Sequence, residues 1–100
     1  MYRIMLTCAG GMSSSLIVQK MRDAAQEQNI EAQIWAVDVG AVEENLGMFD
    51  VVLLAPQVLY KKNSIKKIVG DTPIDIIAPD AYGMCDGKAV LKQAISLINK

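Results

Sequence analysis

Histidine is absent from the 100 residues. That excludes imidazole-based acid–base catalysis, the usual zinc sites, and any phosphohistidine carried on this chain. A basic excess is missing too: ten basic residues face eleven acidic ones, a formal net charge of -1, which leaves nothing to hold a nucleic-acid backbone. No apolar run approaches the roughly 20 residues of a membrane span. The short apolar start around Ile4 and Leu6 lacks the layout of a signal peptide. Cysteine is down to two, Cys8 and Cys85, too few to imply a secreted disulfide framework. What is present is core material. Hydrophobic residues make up 52% of the chain, and its length suits one compact domain, not two. The expectation is a soluble, cytoplasmic protein with a single domain spanning 1–100.

The apolar spacing alternates between strand and helix signals. Tyr2 to Thr7 reads as a first strand. From Ser14 the period becomes helical, with Ile17, Met21, Ala24 and Gln28 on one face, broadened by Leu16 and Ala25, while Lys20, Arg22, Asp23 and Glu27 point outward. Ala32 to Val37 is a second strand. Val42, Leu46 and Phe49 predict a short helix or turn ended by Gly47. Asp50 to Ala55 is nearly all apolar, as in a central strand buried on both faces, and Pro56 stops it. A helix follows over Gln57 to Val69, ended by Gly70, then a last strand over Ile74 to Ala78. Asp86 is the expected N-cap of a closing helix striped by Val90, Leu91, Ala94, Ile95 and Ile98. Short buried strands separated by helices predict an open α/β fold, with a parallel sheet and helices on both faces. Ligands of such sheets sit beyond the carboxyl ends of the strands. That edge should collect Cys8 to Ser15, Asp38 to Gly40, Pro56 to Tyr60, and Pro79 to Asp86.

The loop Cys8-Ala9-Gly10-Gly11-Met12-Ser13-Ser14-Ser15 carries the candidate chemistry. Adjacent glycines let successive N–H groups face one point, and a helix beginning near Ser13 adds unpaired N–H groups and its positive dipole end. Both effects favour a thiolate at Cys8 and would hold a phosphoryl group on its sulfur. The serines can cap the helix and donate hydroxyls to phosphate oxygens. On spacing alone, an anion cradle and a plain turn followed by an N-cap stand level. Neither G-x-G-x-x-G nor G-x-x-x-x-G-K-[ST] fits, so nucleotide binding loses its usual support.

The run C-A-G-G-M-S-S-S-L-I-V resembles the phosphorylation loop of enzyme IIB domains of the bacterial phosphoenolpyruvate-dependent sugar phosphotransferase system, in the lactose/cellobiose/chitobiose group. D-V-V-L-L-A-P-Q-V-L-Y and Y-G-x-x-D-G-x-x-V-L extend the likeness over essentially the whole chain. The resemblance implies four parallel strands in the order 2-1-3-4. It also implies a phosphoryl relay. Cys8 would take the group from phosphohistidine on a IIA phosphocarrier and pass it to a sugar held by a membrane-embedded IIC transporter. Ala9 through Ser15 would form the phosphate cradle, with no metal and no organic cofactor. The protein would work in the cytoplasm, transiently at the inner face of the membrane. The cellobiose-type loop leans toward a β-linked disaccharide.

The group is also similar in fold to low-molecular-weight tyrosine phosphatases, whose loop runs Cys, five residues, Arg, Ser/Thr. Ser14 stands where that arginine would be, and serine cannot supply its charge. The missing arginine fits a carrier that keeps its phosphate. A Cys-dependent phosphatase and a thiol redox or anion-binding module remain the alternatives.

Cys85 is expected on the same sheet edge as Cys8, as a passive small residue more than a redox partner. Met12 reads equally as a packed residue or a partner contact. Gln57 is a turn residue or a phosphate contact, and Tyr82 and Asp80 sit in the region of the phosphatase acid. Asp80 is expected to cap or close a loop. Trp35 should pack against a helix, and Lys61, Lys62, Lys66 and Lys67 should form a solvated helix face.

Overall fold

The computed structural model describes residues 1–8 and 12–99, and of residues 12–14 the backbone alone. Its elements are β1 (Tyr2–Cys8), α1 (Met12–Glu27), β2 (Ala32–Asp38), β3 (Val51–Leu54), α2 (Lys62–Val69), β4 (Ile74–Ile76), α3 (Pro79–Gly83) and α4 (Gly87–Ile98). All strand pairs are parallel, in the order β2-β1-β3-β4. The expected architecture is therefore the one observed.

Alternation along the strands divides the interior into two layers. Ile4, Leu6, Val51 and Leu53 pack with Ile17, Val18, Met21, Ala24 and Ala25 of α1 and with Val90, Leu91 and Ala94 of α4. Met5, Val52 and Leu54 face the other way, onto Val42, Phe49, Val58, and Ile65 and Val69 of α2. Helices thus cover both faces of a sheet whose central strands have no exposed side.

The α1 stripe is narrower than expected. Leu16 is 51% exposed, while Ile17 and Met21 are fully buried. Gln28 would continue the buried face, but the helix ends at Glu27, and Asn29 turns the chain with φ 56°. The helix expected over Gln57–Val69 is broken in two. A 3₁₀ stretch covers Pro56–Lys61, and non-helical Val58 (φ -115°, ψ 23°) separates its turns before α2 begins. Val58 is 1% exposed, so burying its side chain just after β3 bends the path away from a single helix. Leu59, expected on the apolar side, is left exposed. Val42 and Phe49 are buried as expected, in and after two short 3₁₀ turns, but Leu46 is not.

Both sheet edges are capped by side chains, which blunts strand-to-strand association. Arg22, expected to point outward, reaches back from α1, and its Nε and Nη2 donate to the Ile34 carbonyl at 3.0 and 2.6 Å. At the other edge, Gln93 Nε2 donates to the Ile76 carbonyl at 2.8 Å.

Asp50 does not extend β3, because it is claimed by β1. The Arg3 amide donates to its Oδ2 and Arg3 Nη2 to its Oδ1, both at 2.9 Å, while its own amide donates to the Arg3 carbonyl at 2.7 Å. The hydrogen bond from Arg3 holds the Asp50 carboxyl below its ordinary value of 3.8, against a smaller opposing effect of burial. A depressed carboxyl adds stability that is complete above its unfolded value and is lost as pH falls through the folded one. Asp50→Asn should therefore lower the melting temperature at neutral pH. The difference from wild type should shrink as melts are run at successively lower pH below about 4. A difference independent of pH would refute this account of the pair.

Candidate functional site

Four parallel strands deliver their carboxyl ends to one edge, at Cys8, Asp38, Leu54 and Ile76. Cys8 closes β1, one of the two central strands. Its register partner on β2 is Asp38, whose carboxylate accepts from the Gly40 amide at 3.1 Å and caps the turn Val39–Ala41. On the other side the Ala55 amide donates to the Thr7 carbonyl at 2.9 Å, tying the end of β3 to β1. Strict alternation would place Cys8 beside Ile4 and Leu6. Instead it joins the layer of Met5, Val42, Leu54, Ala55 and Val58, and is 4% exposed.

Backbone helix resumes at Met12, so α1 begins only a few residues after the sulfur. Ala9, Gly10 and Gly11 lie outside the described residues, as do the side chains of Met12, Ser13 and Ser14, so the expected cradle and the Met12 contact receive no geometry here. Ser15 is exposed in the first turn of α1.

The flanking loops bring other residues to the same end. Gln57 is exposed in the 3₁₀ stretch after β3, followed by Leu59 and Tyr60, which are 55% and 70% exposed. The segment expected as a loop after β4 contains α3, started by Pro79 at a position where proline suits a helix. Tyr82 of α3 packs against both core layers and so bridges them. Asp80 lies in the first turn of α3 and its Oδ1 accepts from the Ala81 amide at 3.0 Å, but the helix is capped at Ala78 without a side-chain hydrogen bond, so Asp80 is not the cap expected of it. Trp35 packs on the layer that holds α2.

Cys85 is partly buried with a free thiol, as expected of a passive small residue. It follows α3 with φ 51° and packs on the α1–α4 layer, in a recess shared with Lys20, Ala24 and Glu27 of α1. Cys8 lies in the opposite layer, and both thiols are free. Among the described residues no group of three or more His, Cys, Asp or Glu side chains is placed to hold a metal ion.

One residue of interest escaped sequence reasoning. Thr7 is fully buried, and its Oγ1 finds no hydrogen-bond partner among the described residues. A polar residue ending an otherwise apolar strand, beside the candidate nucleophile, was the available signal. Thr7→Val keeps the shape and removes the unpaired hydroxyl, so it should raise stability by about 1 kcal/mol in a denaturant melt. A loss of stability would mean that the hydroxyl is bonded in solution.

Comparison with known proteins bears on what such an edge does. Residues 3–93 match the family model described as the PTS system, lactose/cellobiose specific IIB subunit. The chain belongs to this family. As a PTS IIB component it is a phosphotransferase of sugar transport. This IIB chain is 40% identical over 100 residues to the oligo-beta-mannoside-specific EIIB component of Bacillus subtilis strain 168, covering 98% of this chain and 97% of that one. The solution structure of the cellobiose-specific IIB component from Borrelia burgdorferi matches with a TM-score of 0.82 at 39% identity, over 98% of this chain and 92% of that one. A 63-residue stretch, 63% of this chain, is 38% identical to part of the lactose-specific EIICB component of Lactococcus lactis subsp. lactis, covering 11% of that protein. Among the described residues of the IIB chain, no helix is long and apolar enough to cross a membrane.

Proposed function

We propose that Cys8 is the nucleophile and phosphoryl carrier of this IIB component, with Ala9 through Ser15 as the cradle. The observation that carries the reading is the position of Cys8. It ends β1, a central strand, at the carboxyl edge of the sheet, just ahead of the first turn of α1. There α1 directs unpaired N–H groups and its positive dipole end toward an anion. In the reaction Sγ attacks the phosphorus of a phosphohistidine on a IIA partner. The P–S bond forms as the P–N bond breaks, and the electron pair stays on the imidazole nitrogen. A sugar hydroxyl in the IIC partner then attacks phosphorus, its proton passes to solvent water, and the P–S bond breaks to return the thiolate. Both steps demand positioning and charge stabilisation more than covalent chemistry from the protein.

The IIC association draws support from the EIICB relative, whose name joins the two components. The three relatives differ in named sugar: oligo-beta-mannoside, cellobiose and lactose. A further relative, 38% identical over 96% of this chain, is named galactose-specific, so the spread supports a sugar of the lactose/cellobiose type, with the finer choice made in IIC. The working place is the cytoplasm, at the inner face of the membrane when IIC is engaged, and residues 1–100 act as one IIB domain. Family membership favours this carrier over a Cys-dependent phosphatase or a redox module.

The test is to incubate the protein with phosphoenolpyruvate, the general phosphorelay proteins and a cognate IIA, then weigh it intact and map the label. One added phosphoryl group on the peptide containing Cys8 is expected. No added mass, or a label on any other peptide, overturns the proposal.

A further inference from the structure

The segment between β3 and β4 has a charge unlike the rest of the chain. Residues 56–70 contain Lys61, Lys62, Lys66 and Lys67 and none of the eleven acidic residues, so a net +4 stands against -5 elsewhere, where six basic residues face all eleven acidic ones. Lys61, Lys66 and Lys67 are exposed and make no ion pair among the described residues, while Lys62 Nζ lies 3.8 Å from Asp75 Oδ1. Beside these charges stand Leu59 and Tyr60, 55% and 70% exposed, with Lys61 Nζ 5.8 Å from the Tyr60 ring centre. The segment is well anchored beneath. Val58, Ile65 and Val69 are buried in the core, so the apolar pair is presented outward on a fixed base.

We propose that this segment docks on an anionic phospholipid surface. An exposed leucine and tyrosine suit the boundary between headgroups and acyl chains, and lysines around them gain from the negative potential of such a surface. A protein partner fits less well. Protein interfaces are depleted in lysine. The cytoplasmic loops of membrane proteins carry an excess of Lys and Arg, which would repel this patch. Leu59 and Tyr60 follow β3 at the carboxyl edge of the sheet, the edge that ends in Cys8. Docking would therefore turn that edge toward the bilayer. The surface is argued from charge and exposure; its use, to present Cys8 to a membrane-embedded acceptor, rests on the function proposed above.

Co-sedimentation with vesicles tests it. The wild-type chain should bind phosphatidylcholine vesicles that contain phosphatidylglycerol, bind pure phosphatidylcholine hardly at all, and release as salt is raised. The variant K61Q/K66Q/K67Q leaves the Lys62–Asp75 pair intact and should lose at least about tenfold in binding. Leu59→Ser with Tyr60→Ser should weaken binding at all salt concentrations. Equal binding to both vesicle types, no binding to either, or a lysine variant that binds like wild type overturns the inference. Phosphorylation by soluble IIA is measured on the same lysine variant. Label on Cys8 without vesicle binding by wild type defeats only the lipid contact, whereas vesicle binding without label on Cys8 defeats only the carrier reading.

Discussion

Cys8→Ser is expected to take up no phosphoryl group from a phosphorylated IIA donor while keeping its fold. The two side chains are nearly the same shape, and the site is 4% exposed within an apolar layer. A hydroxyl there costs about 1–3 kcal/mol at most, which a chain of this size tolerates. Chemistry, not folding, should fail. A thiol ionises far more readily than an alcohol, and the thiolate is the attacking species. Sulfur is also the better leaving group when the sugar hydroxyl attacks, so even a serine that accepted phosphate would hold it. Intact mass after incubation with the relay reads the first step, and a melt by circular dichroism confirms the fold. Cys85→Ser should be labelled like wild type, because Cys85 lies on the other layer of the core. Label retained in Cys8→Ser, or lost equally in Cys85→Ser, would remove Cys8 from its role.

Gly87→Ala should be the most damaging small substitution in the framework. Gly87 opens α4 and is buried where that helix meets α1. A Cβ added there would collide with the Lys20 carbonyl carbon, the Met21 amide nitrogen and the Lys20 Cβ. Two of these are backbone atoms of a helix interior, which cannot swing aside as a flexible side chain can. To admit one methyl group α4 must lift off α1, loosening Val90, Leu91 and Ala94 from Met21 and Ala24. Overpacking typically costs about 1–3 kcal/mol, and a clash with backbone belongs at the upper end. For a domain of this length that corresponds to a fall in melting temperature on the order of 10 °C or more. Gly83→Ala is the control, since a Cβ there meets nothing within 4 Å. Equal melting of the two variants would mean that α4 has room the structure does not show.

Much of this protein was written locally in its residues. The buried run Val51–Leu54, the start of β1, the cap at Asp86 and the α4 stripe follow from spacing and side-chain chemistry that a segment carries by itself. So does the placement of Cys8 between a strand and a helix, because the apolar alternation of β1 stops there and a helical period follows. The strand order came from likeness to a family, since no single segment encodes which strand lies beside which.

Other features depend on atoms far apart in the chain. Val58 breaks a helix because a core layer built by β1, β3 and α2 takes its side chain. Asp50 leaves β3 for Arg3, 47 residues away. Cys85 turns to the α1–α4 side, and Gly87 is crowded only where two helices meet. Periodicity describes one element against an average interior. Which side chain is buried, paired or crowded is settled by what another element brings to the same point, and that is decided in three dimensions.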